Sequence, residues 1–138
     1  MKLFVDTWGW LALADRGDSQ HQSAAKFYAQ RSRRTGRIFT SNFVLDEFFT
    51  LLFARRPFAE ASRFANALLA SQFVTIEIVT RERFDAAFEL RLKFSDKPRI
   101  SFTDLTSMVI MKEFGIVDVM TADSRFLQVG LGFHTFPE

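Results

Sequence analysis

Short runs of apolar residues occur at five places along the chain, and the stretches between them carry apolar residues at helical spacing. The runs predict β-strands at residues 2–6, 38–40, 73–79, 117–121 and 132–136. The intervening stretches predict helices at residues 8–14, 19–34, 43–56, 57–72, 80–94 and 103–114. Short apolar strands that alternate with helices are typical of a parallel sheet covered on both faces. We therefore expect an α/β fold with a central, mainly parallel sheet of four to five strands.

Residues at the predicted helix ends support these limits. Asp18 or Ser19 can cap the second helix and Asn42 the third, because short polar side chains accept hydrogen bonds from the first N–H groups of a helix. Pro57 suits the first turn of the fourth helix, where no N–H bond is lost. Gly115 follows the sixth helix, at the position where a left-handed residue commonly ends a helix.

Length and composition narrow the class of protein. The chain has 138 residues and no repeat or linker-like segment, so we expect a single domain over residues 1–138. A domain near this size buries about 68–70% of its unfolded surface, which is enough for a stable core. The absence of cysteine excludes disulfides and zinc–thiolate sites. The chain lacks a signal-peptide pattern and a membrane-spanning apolar run, so we expect it to be cytoplasmic.

Two predicted strands end in an acidic residue. Asp6 follows the first strand, and Asp123 follows the fourth within the sequence VDVMTADSRF. In open parallel sheets, functional sites lie beyond the carboxyl ends of the strands. Each acid also has a structural explanation, because Asp6 with Thr7, or Asp123 with Ser124, can cap a following helix.

The third helix carries a carboxylate on its apolar face. At about 100° per residue, Val44, Phe48 and Leu52 share one face, and Glu47 falls inside this arc. Asp46 falls on the polar side and is expected to be solvated. Burial of Glu47 costs desolvation free energy unless it meets a partner, and no lysine or arginine lies four residues away. Two alternatives stay open, a buried ion pair with a distant arginine and a functional site.

A fourth acid, Asp104, begins the sixth helix in the sequence SFTDLTSMVIM. Ser101 or Thr103 can cap this helix, and the helix dipole favours an aspartate in the first turn. This explanation suffices for Asp104 alone. The four acids together are more specific, because two strand ends, a helix face and a helix start can meet at one edge of a parallel sheet.

Carboxylates gathered at one edge require a compensating charge, since like charges raise one another's pKa. A divalent cation would supply it. Oxygen ligands without cysteine, and two widely separated histidines, His21 and His134, indicate magnesium or manganese rather than zinc. Such a metal would orient a phosphate, activate a water molecule and stabilise the leaving oxygen. The predicted metal ligands and catalytic residues are Asp6, Glu47, Asp104 and Asp123.

The charge balance favours a polyanionic partner. The net charge is +2, but the 18 lysine and arginine residues exceed the 12 acids outside the predicted site by six. Arginines cluster at residues 31–37 and 55–56. Each cluster alone is weak evidence for nucleic-acid binding, because most charge runs form a solvated face.

In their order and spacing, these motifs resemble the PIN-domain family, and within it the VapC-type toxin ribonucleases of toxin–antitoxin pairs. The resemblance spans nearly the whole chain. It rests on a strand ending in Asp6 and Thr7, on DSQHQSA, on Glu47 among apolar residues, on SFTD with Asp104, and on TADSRF with Asp123.

The resemblance implies a three-layer α/β/α sandwich, a Mg²⁺-dependent endoribonuclease, and a homodimer bound by a cognate antitoxin protein. In the family, the four acids surround the metal and nearby hydroxyl groups support them. The matching hydroxyls here are Thr7, Ser101 and Thr121. The implied reaction is direct attack by metal-activated water on an RNA phosphodiester bond.

Other functions remain open at this point. A non-catalytic PIN-like domain could bind RNA or a partner, although the presence of all four acids argues against it. A phosphatase with an aspartyl nucleophile would need a second aspartate two residues after Asp6, where Trp8 stands. Trp8 and Trp10 are expected to pack in the core or a dimer interface in preference to stacking on a base, although Trp8, beside the site, could stack on a nucleotide. His21 and His134 are interpreted as structural.

Overall fold

The computed structural model describes residues 2–33, 37–121 and 125–136. Its strands form a five-stranded sheet in the order β3-β2-β1-β4-β5, and every neighbouring pair is parallel. The strands are β1 (Leu3–Val5), β2 (Ile38–Ser41), β3 (Val74–Glu77), β4 (Asp118–Met120) and β5 (His134–Phe136). The predicted α/β fold with a central parallel sheet is confirmed.

Helices connect the successive strands, as parallel pairing requires. They are α1 (Thr7–Ala14), α2 (His21–Arg31), α3 (Asn42–Arg55), α4 (Phe58–Ala70), α5 (Arg81–Lys93), α6 (Phe102–Glu113) and α7 (Arg125–Gln128). All six predicted helices are present, with ends that differ from the predicted limits by at most three residues. None of the described helices is both long and apolar enough to cross a lipid bilayer.

The central strand, β1, accounts for the uninterrupted apolar run near the start of the chain. It pairs with β2 on one side and β4 on the other, and Leu3, Phe4 and Val5 are completely buried. A strand covered on both faces needs apolar residues at consecutive positions, not at alternate ones. The carboxyl end of β1 consequently lies at the middle of the edge where the five parallel strands end.

Two predicted helix caps are wrong. Ser41, not Asn42, caps α3, because its hydroxyl accepts a hydrogen bond from the Val44 N–H at 3.1 Å. The Asn42 side chain instead accepts from the N–H of Val79 at 2.8 Å and so ties the start of α3 to the chain after β3. Gln20 precedes α2 without a side-chain cap, and Asp18 accepts from the Gln20 N–H in the preceding turn at 2.7 Å.

One arginine of the basic cluster at residues 31–37 stabilises the fold. Arg31 forms an ion pair with Asp118 at 3.3 Å, and its guanidinium lies 5.0 and 5.5 Å from the ring centroids of Phe27 and Phe136. These contacts join the end of α2 to β4 and β5. Arg31 is therefore a structural residue and not part of an exposed basic face, while Arg34 lies outside the described residues.

Arg83 joins α5 to the end of α6. Its guanidinium donates to Glu113 at 2.9 Å and to Glu77 at 3.0 Å, and it also donates to the Ile78 carbonyl at 2.7 Å. The hydrogen bond from Arg83 lowers the pKa of the Glu113 carboxyl. α6 is thereby held beside α5 and the end of β3.

Gly9 allows α1 to lie directly against the sheet edge. A Cβ atom at this position would overlap the Met120 carbonyl oxygen and would lie 2.9 Å from Val5 Cγ1. The backbone oxygen of β4 cannot move without disturbing the parallel pairing of β1 and β4. The position therefore requires glycine for close approach.

We expect Gly9→Ala to lower the free energy of unfolding by about 1–3 kcal/mol, because the added methyl group overpacks a rigid contact. Chemical denaturation monitored by circular dichroism measures the change. Gly17→Ala is the control, since a Cβ there meets only the flexible Asp15 side chain at 3.3 Å. Equal stability of the Gly9 and Gly17 variants would contradict the close approach.

Candidate functional site

Asp6 lies where β1 ends and α1 begins, and it is 2% exposed. Its Oδ1 atom accepts a hydrogen bond from the Gly9 N–H at 2.9 Å, so Asp6 is the N-cap of α1. Its own N–H donates to the Met120 carbonyl at 3.2 Å, which places Asp6 beside the end of β4. Asp6 therefore has the predicted position at the sheet edge and also caps the helix, while Thr7 is the buried first residue of α1.

α3 exposes Asp46 more than Glu47, as predicted, although both side chains line the same cleft. Val44, Phe48 and Leu52 are buried in the core, and Asp46 is exposed. Glu47 is half-buried at the border of the apolar face, where it opens into a cleft instead of the core. In the part of the chain that the structure describes, no ion pair within 4.0 Å joins Glu47 to a basic side chain, so nothing there supports the ion-pair alternative.

Asp104 lies in the first turn of α6 and is half-buried. The Ser101 hydroxyl accepts a hydrogen bond from the Asp104 N–H at 3.0 Å, which confirms Ser101 as the predicted cap. Since the cap bonds to the backbone of Asp104 itself, Ser101 fixes the direction from which this carboxylate leaves the helix. Thr103, the alternative cap, lies inside the first turn of α6, where its carbonyl accepts from the hydroxyls of Thr106 and Ser107.

Glu47 and Asp104 line the same open cleft, which has a volume of about 500 Å³. The described residues of its wall are Trp8, Asp46, Glu47, Thr50, Leu51, Ser101, Thr103, Asp104 and Arg125. Three of these are acidic and one is an arginine, so the described wall is net negative. Asp6 is not among the described residues of the wall, although it precedes Trp8 by only two residues in the sequence.

The fourth predicted acid, Asp123, and Ser124 lie outside the described residues. Thr121, the third supporting hydroxyl, is buried and donates its N–H to the Phe136 carbonyl at 2.8 Å. Across residues 2–33, 37–121 and 125–136, no three acidic or histidine side chains are close enough to hold a metal ion. A site made of all four acids consequently stays a prediction.

Arg125 lies in the wall of the cleft but was not assigned to the site, because its only sequence signal is its place two residues after Asp123 in TADSRF. Trp8 is 41% exposed in this chain and lines the cleft, so core packing is wrong for this residue. Its alternative role, stacking on a nucleotide beside the site, stays a prediction. Core packing is right only for Trp10, which is 1% exposed and donates to the Thr40 hydroxyl at 3.0 Å.

Both histidines have structural positions, as predicted. The Nδ1 atom of His21 lies 2.8 Å from the Ala12 carbonyl oxygen, so the ring joins the start of α2 to α1. His134 is the first residue of β5, and its Nδ1 atom lies 3.5 Å from the Asp118 carboxylate. Neither residue lines the acidic cleft.

The capping bond of Asp6 can be separated from its charge. We expect Asp6→Ala to lower the free energy of unfolding by about 0.5–2 kcal/mol, because Gly9 loses its acceptor. Asp6→Asn keeps a side-chain oxygen and should stay within about 0.5 kcal/mol of the wild type. Urea denaturation of the three proteins measures this difference, and equal losses in both variants would show that the cap is not the stabilising contact.

Known proteins are similar to this chain over nearly its whole length. A family model described as the PIN domain matches residues 3–131, which include all four predicted acids. The 23S rRNA-specific endonuclease VapC20 of Mycobacterium tuberculosis is 35% identical over 128 residues, which cover 93% of this chain and 94% of VapC20.

Two solved structures show the same arrangement of helices and strands. The crystal structure of M. tuberculosis VapC20, a toxin that cleaves the sarcin–ricin loop, matches with a TM-score of 0.82 and 34% identity, and covers 94% of this chain and 95% of that one. VapBC2 from Rickettsia felis, solved bound to a DNA fragment from its promoter, matches with a TM-score of 0.74 over 98% of this chain and 97% of that one. Its 14% identity shows the fold alone. The predicted three-layer α/β/α sandwich and family resemblance are confirmed, and the chain belongs to the PIN-domain family.

Proposed function

We propose that this chain is an endoribonuclease of the VapC toxin type, which hydrolyses RNA phosphodiester bonds with the help of a divalent cation. The observation that carries this proposal is the similarity to VapC20, an rRNA endonuclease, over almost the entire length of both chains. An acidic cleft at the carboxyl edge of a parallel sheet is the position where such chemistry is expected.

The proposed substrate is a hairpin of 23S rRNA, and the sarcin–ricin loop is the first candidate. VapC20 is described as cleaving that loop, and its similarity to this chain is not confined to one motif. Sequence-specific recognition of RNA usually targets loops whose bases are unpaired. A substrate of this kind would place the protein in the cytoplasm.

Asp6, Glu47, Asp104 and Asp123 are the residues that would hold the cation, and Mg²⁺ is the first candidate, followed by Mn²⁺. Their carboxylate oxygens suit a small hard cation. Nucleases of the PIN family generally depend on a divalent metal. The Asp6 N–H donates to the Met120 carbonyl, and Asp123 follows Met120 by three residues in the sequence.

A bound cation would supply positive charge to the phosphate oxygens and to the attacking water. The residues of the chain would position the acids that hold this cation. Ser101 holds Asp104 through the backbone of α6, and the α1 cap holds Asp6 at the sheet edge. Thr7 and Thr121, both buried beside that edge, support the acids from behind. Water would add to phosphorus with loss of a proton, the bond to the leaving nucleotide oxygen would break, and that oxygen would take up a proton.

We also propose that the chain forms a homodimer and binds a cognate antitoxin protein, as the VapC type implies. Phe84, Phe88 and Leu92 are exposed at four-residue spacing on α5 and form one apolar stripe. Exposed apolar patches of this kind commonly mark protein interfaces. The stripe is therefore the candidate surface for the second copy of the chain.

Substitution of any single acid should remove cleavage without unfolding the protein. We expect Asp6→Asn, Glu47→Gln, Asp104→Asn and Asp123→Asn to lower the cleavage rate of a sarcin–ricin hairpin RNA at least about 100-fold in Mg²⁺. Gel analysis of the RNA products measures the rate. Glu89→Gln, on the exposed part of α5, is the matched control and should cleave at the wild-type rate.

Two results would contradict this function. Equal cleavage by wild type and the four acid variants would indicate a contaminating nuclease. Binding of the hairpin by a wild-type protein that never cleaves it would favour a non-catalytic RNA-binding domain.

Cation binding should be visible without RNA. A ligand at 100 times its Kd stabilises the folded state by about 2.7 kcal/mol, so Mg²⁺ should raise the Tm of the wild type by several degrees. Asp104→Asn should lose most of that rise, whereas Glu89→Gln should keep it. Differential scanning fluorimetry against added Mg²⁺ measures the shift, and equal shifts in all three proteins would place the cation elsewhere.

A further inference from the structure

The two tryptophans of TWGW have different environments, although they are only two residues apart. Trp10 is buried, contacts Tyr28 edge to face at 5.8 Å between ring centroids, and donates its indole N–H to Thr40. Trp8 projects from the same helix with 41% of its surface exposed. The core therefore accounts for Trp10 but not for Trp8.

Trp8 forms part of the wall that holds the acids. It lines the same cleft as Glu47, Asp104 and the Ser101 cap. A single exposed aromatic residue on a protein surface needs no explanation. An exposed indole in the wall of a cleft that carries the predicted catalytic acids is a different case, because any RNA bound to those acids must pass close to it.

A cation restrains the Trp8 ring. The guanidinium carbon of Arg55 lies over the ring, 5.7 Å from its centroid. A cation over an indole face is attracted by the ring quadrupole, which favours this arrangement of Trp8 and Arg55. Arg55 also brings a positive charge close to the acidic cleft, where a phosphate would otherwise meet several carboxylates.

RNA binding at this cleft needs a contact other than charge. The described wall is net negative, so it attracts a phosphate poorly before a cation is present. A nucleobase is uncharged and has an apolar face, and unpaired bases commonly stack on aromatic side chains or arginine planes. Trp8 backed by Arg55 offers such a surface beside the acids.

We propose that Trp8 binds an unpaired base of the RNA by stacking, next to the phosphate that is cleaved, and that Arg55 holds the indole in place. The proposal rests on the proposed ribonuclease function and names the residue that positions its substrate. Stacking accepts any base, so Trp8 selects unpaired over paired nucleotides and does not select among the four bases.

Steady-state cleavage of a synthetic sarcin–ricin hairpin RNA in Mg²⁺ tests the proposal. Trp8→Ala should raise KM about 5- to 150-fold, the range expected from loss of one stacked base, with kcat nearly unchanged. Trp8→Phe keeps an aromatic face and should recover most of that loss. Phe58→Ala removes another exposed aromatic residue, outside the cleft wall, and should leave KM unchanged.

Intrinsic fluorescence gives a second readout, because the chain has only two tryptophans. In an Asp104→Asn background, which prevents cleavage, addition of the hairpin should quench tryptophan emission. Adding Trp8→Phe to that background should abolish the quenching, since the remaining emission comes from the buried Trp10. Circular dichroism confirms that each variant is folded.

Three outcomes would overturn the stacking role. Unchanged KM in Trp8→Ala, with normal cleavage by the wild type, would remove Trp8 from substrate binding and leave the ribonuclease function intact. A change of molecular mass in Trp8→Ala by analytical ultracentrifugation, with a parallel loss of cleavage, would make Trp8 a dimer contact. Failure of the wild type to bind or cleave the hairpin would overturn both the stacking role and the proposed function.

Discussion

The candidate site depends on the burial of β1 between two neighbouring strands. Leu3, Phe4 and Val5 are completely buried in the middle strand of the sheet. The residue that follows them therefore leaves the sheet at the middle of the edge where the strands end. Asp6 occupies that point, with its side chain bonded to Gly9 and its backbone bonded to Met120. Gly9 has no side chain to separate α1 from β4, so the helix lies directly against the end of this strand. Trp8, the residue before Gly9, lines the cleft.

Two physical contributions meet in the cleft. The proposed metal-binding carboxylates have oxygen ligands that suit a small cation, but their charge would repel RNA until a cation was bound. Trp8 and Arg55 offer affinity for a base that does not depend on that cation. In this account, the acids determine where the phosphodiester is cut, and the indole determines that the cut strand is unpaired. The two tryptophans, although close in sequence, differ in exposure in the way that these roles require, since Trp10 packs in the core and Trp8 lines the cleft.

Much of this arrangement could be predicted because it follows from local patterns. The apolar runs gave the strands, and helical spacing correctly separated exposed Asp46 from Glu47. The Asn42 cap was wrong because Ser41 can also cap α3 and the Asn42 amide is used by Val79, a contact 37 residues away. Core packing was wrong for Trp8 for a similar reason, since the exposure of this residue depends on how α1 packs against α3. Asp123 lies outside the described residues, so its predicted position is still open.

We propose that Asp6, Glu47, Asp104 and Asp123 converge on one cation. A crystal structure of the wild-type protein soaked in Mn²⁺, with anomalous diffraction data, would locate that cation. We expect an anomalous peak at the mouth of the cleft, with carboxylate oxygens of these four residues either about 2.1 Å from the ion or bridged to it by water. A peak bound by other residues, or any two of these carboxylates on opposite faces of the protein, would contradict it.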